Sequence, residues 1–407
     1  MRVLLISNLF PPGFVGGYEL MAADFADALV ALGHSVTVLS SPAFDQTAPE
    51  EIRFPVLRTL KRCIATDEAL SSDEWTIASC FGTADNLNAL ANAVAEHRPD
   101  NVLIFSISGI GALGIYAYLD DLAFRPVSIF GDNFFSGVRN SGEIYAAHAD
   151  RSSIDRILSG ASAFFLSRRV RAEIEAELGL RFMAPRYIPA GVPLAAASAR
   201  SSADVRSEND GLRFVFASRL QEHKGIQIVL DAVELARDAA IGKFHVDLFG
   251  PGDVGIWMGE VERRGLDGFV RYAGVVSKPE MLARYAEYDA LLLPTWEREA
   301  FGAVAAEAAV AGCLPIMTGA IGAAEWMVAG LDCIKIRRTA SALASAMGEV
   351  ARSTPAERRD CRSRVSRSAR RMFDFDRWTP LVERALRDGV RPSGRSLPKI
   401  HSGASIA

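Results

Sequence analysis

Short apolar runs alternate with longer amphipathic stretches along the first half of the chain. "RVLLIS" (2–7) reads as a strand, and 17–32 has helical spacing that stops at Gly33. Then come "SVTVLS" (35–40), a helical stretch near 74–96, "NVLIFSI" (101–107) and a helix near 110–119. "PVSIF" (126–130), a helix near 151–159, "AFFLS" (163–167), a helix near 168–178 and "RYIP" (186–189) complete this half. Fully apolar strands separated by helices predict a parallel sheet covered on both faces. Residues 194–211, "LAAASARSSADVRSENDG", lack periodicity and predict a linker.

A second series of the same kind follows. It runs through "LRFVFAS" (212–218), a helix from 224, "FHVDLFG" (244–250), a helix near 254–264 and "VRYAGVV" (270–276). It continues with a helix near 279–286, "ALLLP" (290–294), a helix from about 302, "LPIMT" (314–318) and "CIKI" (333–336). Helices near 355–371 and 376–389 close it. The pattern predicts an α/β chain of two doubly wound, Rossmann-like domains, 1–193 and 212–375, facing a central cleft at the carboxyl ends of their strands. A separate C-terminal helix, 376–390, and a polar tail, 391–407, expected to be disordered, complete the division.

Whole-chain properties agree with two well-buried domains. The 407 residues are 49% hydrophobic and 23% charged. A net charge of −4 gives no overall attraction for nucleic acid. The cysteines at 63, 80, 313, 333 and 361 are odd in number, form no CxxC pair, and suit reduced thiols. The start, "MRVLLISNLFPPG", is too short in apolar length for a signal peptide, and no later run could cross a bilayer. The expectation is a cytoplasmic protein. Seven arginines against two acids in 354–371 leave a weak peripheral contact at the inner membrane face open beside the plainer reading of a solvated helix.

Three loops that follow strands could carry chemistry. In "TWEREAFGAVAAEAAVAG" (295–312), Glu299 lies in the loop and Glu307 on the helix that begins near Gly302. The first amides of that helix, around Ala300, Phe301 and Gly302, suit a phosphate. A carboxylate can accept from two neighbouring sugar hydroxyls at once. The same stretch also suits an ordinary helix with an exposed Glu307. In "FASRLQEHKG" (216–225), Arg219 and Lys224 straddle a turn into a helix, which suits a diphosphate or simply two surface cations. In "PPGFVGGYE" (11–19), Gly16 and Gly17 could offer bare amides to an anion or only make a tight turn. This is not GxGxxG, and no acid ends the second strand, so a dinucleotide fingerprint is absent.

Together, in this order, these features resemble the retaining GT-B glycosyltransferases of family four, which include bacterial cell-wall and polysaccharide sugar transferases. The matching motifs are the glycine loop 13–17, "IPAGV" (188–192), "SRLQEHKG" (218–225), "YAGVV" (272–276) and Glu299-x7-Glu307 around "FG", over roughly residues 1–385. The resemblance implies a nucleotide diphosphate sugar as donor, with Arg219 and Lys224 on the diphosphate, Glu307 on the ribose and Glu299 on the transferred sugar. The amides of Ala300, Phe301 and Gly302 would serve sugar and phosphate, Gly16 and Gly17 the phosphate, and the backbone near Val275 the base. The acceptor would be a glycan, a lipid-linked sugar or a small molecule. It implies no cofactor and no metal; the Asp-x-Asp at 374–376 is read as placing Asp376 at a helix N-cap.

One departure stands out. Many relatives carry a histidine after the strand that here reads "SIFGDNF", where this chain has Gly131 and Asp132. Asp132 either takes a polar role toward donor or acceptor or caps a turn. Trp296 and Trp378 are expected in the core. Two other readings compete: a sugar-nucleotide epimerase on the same frame, and a non-catalytic nucleotide-sugar binder.

Overall fold

The computed structural model describes residues 1–13, 16–42, 52–62, 80–133, 135, 151–194 and 211–390. The chain divides into two compact units, Met1–Ile188 with Arg377–Ala407 and Pro189–Asp376. Each is built on one parallel sheet of the doubly wound type.

The first sheet contains β1 (Arg2–Ile6), β2 (Ser35–Leu39), β3 (Val56–Leu57), β4 (Asn101–Ile104), β5 (Val127–Phe130), β6 (Ser162–Phe165) and β7 (Arg186–Tyr187). Their spatial order is β3-β2-β1-β4-β5-β6-β7, all parallel. β4 and β5 are buried along their whole length, as continuous apolar runs require when helices cover both faces. The short edge strand β3 is not legible in the polar stretch around it. The helix expected near 74–96 is Ala84–His97, which starts where the Thr83 hydroxyl accepts the Asn86 amide at 3.3 Å. Residues 74–79 lie outside the described residues, as do 195–210 of the linker, the tail from 391 and most of the loops 41–72 and 132–150.

The second sheet contains β8 (Leu212–Ala217), β9 (Phe244–Phe249), β10 (Val270–Gly274), β11 (Ala290–Leu293), β12 (Leu314–Thr318) and β13 (Ile334–Ile336). Their order is β10-β9-β8-β11-β12-β13. One covering helix, Ala340–Arg352, was not expected. Its buried face (Leu343, Ala346, Met347, Val350) keeps helical spacing, but the small residues between blunt the contrast.

The unit boundaries differ from those read in the sequence. Pro189–Leu194 side with the second unit: the Val192 amide donates to the Phe373 carbonyl at 2.7 Å, and the Phe375 amide donates to the Val192 carbonyl at 3.2 Å. The last helix, Phe375–Asp388, is not independent, and from Arg377 onward it belongs to the first unit. Glu383 pairs with His34 at 3.1 Å, and Asn101 donates to the Leu386 carbonyl at 2.9 Å. Asp374 rather than Asp376 caps this helix, because its carboxylate accepts the Asp376 amide at 3.1 Å.

A buried charge ties the second sheet together. Asp247 on β9 is fully buried and accepts two hydrogen bonds from Arg271 on β10, at 3.0 and 2.9 Å, and one from the Tyr288 hydroxyl at 2.8 Å. Burial alone would raise its pKa; the Arg271 and Tyr288 hydrogen bonds outweigh it and hold the carboxyl below its usual range. Because the folded value is depressed, this stabilisation is present above the unfolded pKa of about 4 and is lost as pH falls through the folded value. Asp247→Ala is expected to destabilise the protein by about 3 kcal/mol and to flatten the acid limb of its stability curve, measured by urea unfolding between neutral and acidic pH.

Candidate functional site

Strand order reverses between β8 and β11, so the crevice beyond their carboxyl ends is where an open α/β sheet binds ligands. The loop after β8 carries Arg219 and Lys224, and the loop after β11 carries Glu299. These loops touch. Gly225 adopts φ +87°, and a Cβ there would meet the Pro294 carbonyl oxygen at 2.2 Å, so only glycine permits the approach. The contact is reinforced from outside: the Trp296 amide donates to the His223 carbonyl at 3.0 Å.

At this junction Lys224 Nζ lies 2.5 Å from Glu299 Oε2, with the two side chains 15% and 20% exposed. The Thr295 hydroxyl donates to the same carboxylate oxygen at 3.2 Å. Arg219, half-buried, forms no ion pair among the described residues. Desolvation, then the charges of Lys224 and Arg219, hold His223 below its ordinary pKa. Its ring lies 4.9 Å from that of Trp296. Trp296 is 37% exposed, which corrects the expectation that it packs in the core; it belongs to the rim of this loop. Trp378 is also only half-buried, with Arg377 against its ring.

The helix Ala303–Val310 starts at the same loop. Gly302 has φ +82°, a backbone conformation that favours glycine, and a Cβ on it would come within 3.0 Å of the Ile321 side chain. The alanine run has a matching cause: Ala305, Ala306, Ala308 and Ala309 are completely buried where the helix meets its neighbours. The Phe301 ring is buried and packs edge-on against Phe373, while its carbonyl accepts the Ala323 amide at 2.7 Å. Glu307 is half-buried on this helix, near enough to the buried Tyr285 to help burial raise the phenol's pKa. Val275, 63% exposed, follows β10, and the Gly250 amide donates to the adjacent Gly274 carbonyl at 3.0 Å.

In the first unit the candidates look different. The Gly16 amide already donates to Glu19 at 3.0 Å, so that carboxylate occupies the place an anion would need; Gly17 opens the helix Gly17–Ala31. Phe14 and Val15 lie outside the described residues. Asp132 is exposed, and its carboxylate accepts the Asn133 amide at 2.8 Å. Position 131 itself is closed to a side chain, since a Cβ at Gly131 would meet the Tyr18 ring at 2.5 Å.

Arg338, just past β13, was not singled out from sequence. Its guanidinium donates to the Pro294 carbonyl at 3.3 Å and to the Glu222 and His223 carbonyls at 3.2 and 3.4 Å, bracing the two loops together. Its position at a strand's carboxyl end was legible, but its partners are far away in sequence.

Residues 211–353 match the model of the family described as glycosyl transferases group 1. The second unit carries a group 1 glycosyltransferase domain. Along its length the chain is 25% identical to glycogen synthase of Mycobacterium tuberculosis, covering 98% of each. Among solved structures it is similar to sucrose-phosphate synthase of Thermosynechococcus elongatus (17% identity, 95% and 98% covered, TM-score 0.71). It is also similar to Anabaena Alr3699/HepE in complex with UDP and glucose (19% identity, 95% and 100% covered, TM-score 0.68). The two parallel-sheet units are those of the GT-B fold. Among the described residues no group of His, Cys, Asp and Glu could hold a metal ion, and no helix is long and apolar enough to cross a membrane. Among the arginines in 354–371, Arg358 bonds to Ser353, Arg362 to Ala286 and Tyr288, Arg364 to Asp360, and Arg370 to Ser366.

Loss of the brace should loosen the site more than the fold. Arg338→Ala is expected to lower turnover of the donor by roughly tenfold or more, through misplacement of Lys224 and Glu299, while shifting the melting midpoint by only a few degrees. Initial rates and calorimetric melting of the same preparation check both.

Proposed function

We propose that the protein is a retaining glycosyltransferase that moves a hexose-type sugar from a nucleotide diphosphate sugar to a glycan, lipid-linked or small-molecule acceptor. The observation that carries this reading is the meeting of Lys224 and Glu299 at the strand-order reversal of a group 1 glycosyltransferase domain. A cation for the leaving diphosphate and a carboxylate for sugar hydroxyls stand side by side there. UDP and UDP-glucose in the Anabaena structures support a donor of this class.

In this reading Arg219 and Lys224 neutralise the diphosphate as the bond from the anomeric carbon to its oxygen breaks. The amides of Ala300, Phe301 and Gly302 lie at the start of a helix, where the dipole favours anionic oxygens. Glu307 accepts from the ribose, Glu299 from the sugar, and the backbone at Val275 faces the base. The acceptor oxygen bonds to the anomeric carbon on the face the diphosphate leaves, and its proton passes to the departing phosphate oxygen. Gly17 and Asp132 are assigned to the phosphate and acceptor sides; the Gly16 amide could join only if Glu19 released it. A weak peripheral contact with the inner membrane face would fit a lipid-linked acceptor.

Incubation with labelled nucleotide sugars tests the reading: transfer or slow hydrolysis supports it, whereas isomer formation or binding alone overturns it. The anomeric configuration of the product, read by NMR, tests retention. Arg219→Ala and Lys224→Ala are each expected to lower turnover by about two orders of magnitude or more without unfolding the protein. Near-normal rates in both would remove the phosphate assignment. Activity is expected to survive EDTA, because cationic side chains and amides neutralise the leaving group; loss with EDTA that magnesium or manganese restores would overturn this.

A further inference from the structure

We propose that the Lys224–Glu299 ion pair discriminates between the sugar-bearing donor and the free nucleoside diphosphate, and so favours release of the spent product. The inference rests on the reading above, in which Lys224 binds diphosphate and Glu299 binds sugar. Its starting point is the geometry of the pair. Glu299 is the only ion-pair partner of Lys224 among the described residues, and the carboxylate has one other partner, the Thr295 hydroxyl.

Both side chains are largely shielded from water, so taking Lys224 away from Glu299 leaves a poorly solvated carboxylate with a single hydrogen bond. An ionised carboxylate only accepts hydrogen bonds, and it cannot bond to a phosphate. A diphosphate therefore competes with Glu299 for the same ammonium. When the donor carries its sugar, hydroxyls replace what Glu299 loses. When the free diphosphate binds, nothing does.

Arg219, which forms no ion pair among the described residues, keeps a grip on either ligand. The difference between them thus lies in Glu299. After transfer the sugar leaves with the acceptor, the carboxylate reclaims Lys224, and the product diphosphate is weakened in place.

Full-length protein would be screened by thermal shift against UDP, GDP and ADP, and the strongest binder taken to calorimetric titration with its glucose conjugate. Glu299→Gln is expected to bind the free diphosphate about three- to tenfold tighter than wild type, while binding the sugar nucleotide more weakly. Glu299→Ala repeats the test with no hydrogen-bonding group left. The gain should vanish in the Lys224→Ala background, as a double-mutant cycle requires when two groups act on each other. An unchanged or weakened diphosphate affinity in both Glu299 variants overturns the proposal, as does a gain that persists without Lys224. If no diphosphate binds wild type, or if Lys224→Ala binds as wild type does, the diphosphate assignment itself fails and takes this inference with it.

Discussion

The approach of the Gly225 backbone to the Pro294 carbonyl is the constraint on which the site depends. Loops after two neighbouring parallel strands normally diverge into separate crevice walls. Here a glycine with positive φ lets them meet, since any Cβ would have to occupy the space of a carbonyl oxygen. Once they meet, Lys224 reaches Glu299, Trp296 settles against His223, and Arg338 can bridge both loops from behind.

Electrostatics then distinguishes two kinds of charge in the same domain. Asp247 is buried with its partners fixed around it, and its bidentate arginine and phenol make it a structural tie between strands. The Lys224–Glu299 pair is shielded too, but it joins two loops at the carboxyl ends of β8 and β11 rather than two strands. Arg219, in the same loop as Lys224, forms no ion pair among the described residues.

Periodicity made the strand series legible, because strands buried on both faces must be continuously apolar. The helix Ala340–Arg352 escaped, since alanine and serine soften its polar contrast, and β3 is too short to carry a pattern. The candidate loops were legible because each follows an apolar strand and gathers glycine and charge in a few residues. Gly302 was legible as a helix-start residue, but its positive φ shows only in the folded backbone. The helix N-cap falls at Asp374, two residues before the Asp376 expected from sequence, a detail set by backbone geometry rather than by composition.

By itself the sequence determined two doubly wound units, the order of their strands and helices, and which loops stand at carboxyl ends. Those features follow from burial and local backbone preference, which each segment carries within itself. Only the tertiary structure decided that Lys224 pairs with Glu299, that Arg338 braces both loops, that the last helix joins the first unit, and that Tyr18 leaves room only for glycine at 131. Each of these is a contact between segments distant along the chain, and its geometry exists only after the sheets have brought those segments together.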